Sequence, residues 1–317
     1  MMNNRAIRYV HIFSIGGIIS LFLLVMAGFG SCKKNPPPAP APTTPLQQLV
    51  NTDTTLSLFH RMLFRANENG LLTDNAITLL LPTNTALRAA GYTQTIIDSS
   101  SAFLIDKLVR YHFINSRITP DSNGYKGYLT LTGYNVYGMT DSTGQIWFNG
   151  DAVTGKSTSV GKALTYRLNI MPLQSPADSL TQLLNTDTSL TYLAEAYRRT
   201  NFYDSFLLTG NYTVLAPVNS AFINAGYDSL GAIDSANFAS LVTLLQAQVA
   251  TGLYFTNTLK GQTTIPAFSG GTITVNYQNG MLEFSGPHNT VPAKLLTGNQ
   301  TAGNTIVIHR IDGLILP

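Results

Sequence analysis

The sequence predicts an α+β chain made of two similar units, and three observations predict it. A long internal repeat runs through most of the 317 residues. Each repeat opens with apolar residues at helical spacing and closes with alternating, strand-like segments. There is one cysteine, so no disulfide forms within the chain and each unit must be held by its own core.

The repeat is read directly. Leu46-Gln-Gln-Leu-Val-Asn-Thr-Asp-Thr-Thr-Leu returns as Leu180-Thr-Gln-Leu-Leu-Asn-Thr-Asp-Thr-Ser-Leu. Ile77-Thr-Leu-Leu-Leu-Pro82-Thr-Asn-Thr-Ala-Leu returns as Tyr212-Thr-Val-Leu-Ala-Pro217-Val-Asn-Ser-Ala-Phe. The offset is 134 residues in the first block and 135 in the second. A solenoid repeats every ~20–50 residues, so this period indicates a duplicated domain. The expected boundaries are 46–173 and 176–317, with Pro172 and Pro176 bracketing a short link.

Within each unit the elements follow in order. Leu190, Leu193, Ala194 and Tyr197, and in the first copy Leu56, Phe59 and Leu63, give a core-facing helical stripe with Thr186 or Asp187 as its cap. Leu79 to Asn84 and Val214 to Asn219 read as a buried strand turning into a helix capped by Asn84 or Asn219. Ala102 to His112 and Phe238 to Ala250 read as helix. Hairpins are expected at Asn149-Gly150 and Asn279-Gly280, because both residues of a tight type I′ turn need positive φ.

The N-terminus predicts export. A basic lead with Arg5 and Arg8 precedes an apolar run from Ile12 to Phe29, then Gly30-Ser31-Cys32. Residues 1–31 read as a lipoprotein signal peptide, and Cys32 as the residue that is acylated; the competing reading is an uncleaved membrane helix. Residues 32–45 form a proline-rich tether. Polyproline II rises about 3.1 Å per residue, so it holds the first unit up to roughly 40 Å from the lipid. Without the signal the chain has 17 basic and 16 acidic residues, and only 11% of all residues are charged. That balance argues against nucleic acid, which needs clustered Lys and Arg.

The strand-to-helix block resembles the fasciclin domain family, whose first signature is Thr-x-Phe-Ala-Pro-x-Asn-x-Ala-Phe. Thr213, Pro217, Asn219 and Phe222 fill it in the second copy, and Thr78 to Leu87 match more loosely. The closing signature, Asn-Gly-x-x-His-x-Ile-Asp-x-Val-Leu-x-Pro, resembles Asn304 to Pro317 with His309 and Asp312 in place; the first copy has a degraded form from Tyr166 to Pro172. The family often carries a Tyr-His pair between the signatures; Tyr111-His112 matches it, and Ala247-Gln248 stands at that place in the second copy. The resemblance implies two fasciclin-like domains, each a β-wedge or sandwich flanked by helices. It also implies extracellular adhesion or ligand binding, and a Bacteroidetes-type bacterial envelope as the setting.

No chemistry stands out against this. Gly150-Asp-Ala-Val-Thr-Gly155-Lys156-Ser157 fits the phosphate-loop pattern, but such a loop needs a helix after it, and Ser157 to Gly161 is a poor helix start; the hairpin accounts for the same residues, so no nucleotide is expected. The histidines show no metal-ligand spacing, and no cofactor is expected. His309 reads as bonded to Asp312, a structural pair. Tyr111, His112, Tyr125, Tyr128 and Tyr134 are the candidate binding residues: Tyr125, Tyr128, Tyr134 and Tyr137 form an aromatic run in a glycine-rich segment that either stacks on sugars or packs as ordinary hairpin and core tyrosine, and the resemblance implies that Tyr111 and His112 serve either the core or a partner contact. The expected function is therefore non-enzymatic: an outer-membrane lipoprotein, surface-exposed, adhering to or binding a protein or glycan. The alternative is a structural accessory subunit of an outer-membrane complex with no ligand of its own.

Overall fold

The computed structural model describes residues 42–169, 179–202 and 210–317. The expected signal peptide, Cys32, most of the expected tether and the expected link at 173–176 lie outside the described residues. Each half of the chain builds its own seven-stranded sheet. In the first half the elements are α1 (Pro45–Thr52), α2 (Ser57–Ala66), β1 (Thr78–Pro82), α3 (Asn84–Ala89), α4 (Gln94–Ser99), α5 (Ala102–Tyr111), β2 (Phe113–Ile114), β3 (Lys126–Leu129), β4 (Asn135–Thr140), β5 (Ile146–Phe148), β6 (Asp151–Val160) and β7 (Ala163–Leu168). In the second they are α6 (Leu180–Thr186), α7 (Thr191–Thr200), β8 (Tyr212–Pro217), α8 (Asn219–Asn224), α9 (Leu230–Ser235), α10 (Phe238–Ala247), β9 (Val249–Thr251), α11 (Thr256–Leu259), β10 (Thr264–Pro266), β11 (Thr272–Gln278), β12 (Met281–Ser285), β13 (Ala293–Ala302) and β14 (Ile306–Ile311).

The strand orders match: β2-β1-β7-β6-β5-β4-β3 in one half and β9-β8-β14-β13-β12-β11-β10 in the other. In each, the first long strand lies parallel to the last, β1 beside β7 and β8 beside β14, and the other pairs are antiparallel. All residues of β1 and β8 are buried, as expected for a strand covered on both faces. One face carries the helices: Leu56, Phe59, Met62 and Leu63 meet Leu79, Leu81 and Leu108 there, as Leu190, Leu193 and Tyr197 meet Val214, Phe222 and Leu245. The other face closes on itself as a wedge around Leu80, Tyr166 and Phe148, or Leu215, Ile273 and Phe284.

Three cross-links recur in both halves. Thr78 Oγ donates to the Ser116 carbonyl and accepts the Ile118 N–H, and Thr213 Oγ does the same with Gly252 and Tyr254. The Asp53–Arg167 ion pair recurs as Asp187–Arg310. The third corrects an expectation. Asn84 and Asn219 do not cap the helices they begin; Thr83 caps α3, and Val218 precedes α8 without a side-chain cap. Each Asn points back to the opening helix instead. Asn84 Oδ1 accepts the Leu58 N–H (2.9 Å) and Nδ2 donates to the Thr54 carbonyl (2.8 Å); Asn219 does so with Tyr192 (3.1 Å) and Thr188 (2.9 Å). An amide has both a donor and an acceptor, so it can take the N–H that a helix start leaves free and at the same time bond a carbonyl of the preceding 3-10 turn. Likewise Asp53 and Asp187 cap the 3-10 turns Thr54–Leu56 and Thr188–Leu190.

The two Asn-Gly turns are as expected, with φ of 46° and 85° at Asn149 and Gly150, and 53° and 80° at Asn279 and Gly280. The phosphate-loop-like segment runs straight into β6, so no helix N-terminus faces a phosphate. Replacing Asn219 by Ala removes both clamp bonds and should lower the unfolding free energy by about 1–2 kcal/mol in urea titration, without changing the native circular dichroism.

Candidate functional site

The residues singled out in sequence are mostly buried, and what they touch defines their work. His309, in the middle of β14, is fully buried. Its Nε2–H donates to the Tyr254 carbonyl (2.8 Å), and Nδ1 accepts the Asn299 N–H (3.3 Å). Those two partners fix the neutral Nε2–H tautomer, and burial holds the imidazole down at about 4. Asp312 is not its partner: the Asp312 carboxylate accepts the Lys294 N–H (2.6 Å) instead. Gly298 is needed beside the ring, since a Cβ there would stand 2.7 Å from His309 Nδ1.

In the first half Tyr166 occupies the register position of His309, and its hydroxyl donates to Ile118 (2.9 Å) as His309 donates to Tyr254. A phenol and an imidazole thus make the same bond to the same turn.

Holding Tyr254 and Asn299 positions the next residues, and these meet the first half. Asn299 clamps Thr256 twice, through its backbone N–H and its hydroxyl, both at 2.8 Å. Phe255 is thereby presented to Tyr125 (ring centroids 4.4 Å apart) and Tyr137 (5.8 Å), and these rings form a small buried cluster with Val307. Hydrogen bonds surround it. Tyr125 donates to Asn257 Oδ1 (2.7 Å), Asn304 Oδ1 accepts the Asn135 N–H (2.6 Å), and the Tyr137 hydroxyl donates to the Asn304 carbonyl. Gly150 lets the surfaces close: a Cβ on it would lie 2.6 Å from the Asn299 amide. Burial pushes the Asp151 carboxyl up to about 7, opposed by the Lys260 ammonium of the second half.

This joint absorbs candidates assigned to an open binding face. Tyr125 is not available to a sugar, because its ring lies on Phe255. Tyr111 is fully buried, with its hydroxyl donating to Asn135 O (2.8 Å) and accepting from Asn149 Nδ2 (3.1 Å), and burial pushes the phenol up to about 12. His112 is also fully buried; Nδ1–H donates to the Leu108 carbonyl (2.7 Å) and the ring meets Phe59. It is a packed core residue. Gln248 holds its place in the second half, donating to Leu244 and Ile315 and accepting the Ile315 N–H. Tyr128 and Tyr134 are half-buried against the first wedge, so the five residues form no common groove. Thr213 is the cross-link already described; Pro217 ends buried β8 and Phe222 is core. Asp312 borders an open hollow of about 390 Å³ with Asn224, Asn289, Thr290 and Lys294. The sequence reading missed Phe255, Asn257 and Asn299. Only Asn304 carried a signal, as the first residue of the closing signature.

The family model of the fasciclin domain matches residues 188–317. A fasciclin-like arabinogalactan protein, elcF, of Phaeosphaeria nodorum is 27% identical over 147 residues, which cover 46% of this chain and 40% of that protein. The match thus spans less than half of the relative. Among solved structures, a FAS1 domain pair from the insect cell adhesion molecule fasciclin I is 14% identical with a TM-score of 0.41, covering 83% of this chain and 97% of that one.

Two outcomes follow from the joint. Gly150→Ala puts a methyl into Asn299 at positive φ, and should cost about 1–3 kcal/mol and expose the joint to limited proteolysis. The second concerns pH. His309 has a folded pKa below its unfolded value of 6.5, so the unfolded chain binds the extra proton and stability falls as pH drops from 6.5 to about 4. His112 adds to that fall, whereas Asp151, raised to about 7, opposes it as it protonates. Comparison with His309→Gln, whose amide can keep the bond to Tyr254, isolates the His309 part: the variant should lose up to ~3 kcal/mol less than the parent between pH 6.5 and 4 in denaturant titrations.

Proposed function

We propose that this chain, which carries a fasciclin domain over residues 188–317, is a tandem fasciclin lipoprotein that acts as an adhesion or ligand-binding module of the cell envelope. One observation carries the tandem reading. The first half repeats the strand order of the matched half and also its Thr cross-link, Asn clamp and Asp–Arg pair at the same register positions. Independent folds of similar outline would not share such bonds residue by residue.

The joint supports a role in holding rather than turning over. The stacked Phe255, Tyr125 and Tyr137 and the hydrogen bonds around them fix one half against the other. Two units fixed in this way present a continuous protein surface, suited to a macromolecular partner. The anchoring part of the reading rests on the apolar run that ends at Cys32 and on the six prolines among the thirteen residues that follow it. Two or more acyl chains on one residue anchor a protein stably where a single chain does not.

The tether is tested by Cys32→Ser. The parent protein should partition with membranes and carry acyl mass on a chain beginning at Cys32; the variant should appear in the soluble fraction or remain unprocessed. A membrane form of the parent with an intact Met1 and no acyl mass sinks the anchor. Adhesion is tested separately, by measuring attachment of cells to envelope or host protein coats with and without the protein; equal attachment to every coat sinks that part.

A further inference from the structure

The two halves share one frame, but one place in it is filled differently. In the first half α5 ends at Tyr111, and β2 reaches across to Thr130 through an Ile114–Thr130 bridge. In the second half α10 ends at Ala247, and the matching bridge joins Ala250 to Ala267. Three alanines therefore stand where the first half has Tyr, Ile and Thr. The Tyr111 phenol lies between Asn135, which opens β4, and Asn149, which follows β5. Their counterparts are Thr272, which opens β11, and Ser285, which ends β12 ahead of Gly286. At that place the second half has an open hollow of about 300 Å³, lined by Ala247, Ala267, Thr272, Ile273, Gly286 and Ile315.

We propose that this hollow is a binding site for a phenol-sized aromatic ring, supplied by a small ligand or by a side chain of a partner protein. The frame itself shows the fit, since the first half seats the ring of Tyr111 at the equivalent position. The floor is apolar, formed by alanine and isoleucine methyl groups. The rim carries hydroxyls, Thr272 with Ser269 and Thr274, which can pair with a ring hydroxyl. The size is at the small end of ligand pockets, which run from roughly 300 Å³ upward. The face also has a precedent for aromatic contact: Tyr137, third residue of β4 as Thr274 is of β11, receives Phe255 in the joint. The site goes beyond the adhesion reading and does not depend on the lipid anchor.

The test uses the full chain in detergent micelles, with saturation-transfer NMR of two probes: p-cresol, and a blocked tripeptide with tyrosine between two glycines. Transfer to either probe is expected from the parent. It should be lost, or at least about tenfold weaker, in Ala247→Tyr, which fills the hollow from within, and that variant should also melt higher than the parent. Thr272→Trp, at the exposed rim, should weaken transfer by blocking the mouth and keeps the test open if Ala247→Tyr does not fold. A stronger response from the tripeptide assigns the ring to a partner's side chain; an equal or stronger response from p-cresol assigns it to a small phenol. No transfer to either probe, or equal transfer with the parent and both variants, overturns the site. A protein that still supports cell attachment while binding neither probe loses this site and keeps its adhesive role.

Discussion

Everything in each half hangs on the parallel pairing of its first long strand with its last. Thr78 lies against Leu164 and Tyr212 against Ile306, residues separated by most of the length of a half. Closing loops of that size is entropically costly, so the contact must be strongly rewarded. The reward is complete burial of β1 and β8, with a helical core on one face and a wedge core on the other. The strongest sequence blocks mark this pair: the Pro-x-Asn segment is the first strand running into its helix, and the closing segment is the last.

Around that pair the buried polar groups do the positioning. Thr78 and Thr213 tie the strand to the loop after α5 or α10, and Asn84 and Asn219 tie the following helix to the opening one. In an apolar interior a hydroxyl or amide lacking a partner is costly, so paired groups favour one arrangement over its neighbours. His309 belongs to the same class. Its two nitrogens join β14 to the Tyr254 turn and to Asn299, and through them set Phe255 in the joint.

The halves diverge where they face different surroundings. On the first half, the face with Asn135, Tyr137 and Gly150 is covered by the second half and is furnished with tyrosines and a glycine for close approach. The corresponding face of the second half is open and carries alanine, threonine and glycine. The pair Tyr111-His112 illustrates the split. His112 and Gln248 both bond back to the residue four earlier, and Gln248 adds a pair of bonds to the Ile315 backbone. Tyr111 and Ala247 differ because one sits under the joint and the other does not.

The internal repeat, the buried strand running into a helix, the Asn-Gly turns and the core stripe at Leu56, Phe59 and Leu63 were determined by sequence alone, because periodicity, turn chemistry and repeated blocks are local properties; Val249 and Ala250, read as the end of a helix, instead form β9 because β8 pairs with them. The tertiary structure decided what the polar and aromatic residues do. A tyrosine run in a glycine-rich segment reads as a sugar platform or as ordinary hairpin and core tyrosine, and only the arrival of Phe255, over a hundred residues later, shows that Tyr125 packs against the other half. His309 and Asp312 are three residues apart, which suggests a pair, yet their partners come from other segments, because Asp312 lies just past the end of β14 and a side chain bonds to whatever the fold brings opposite it.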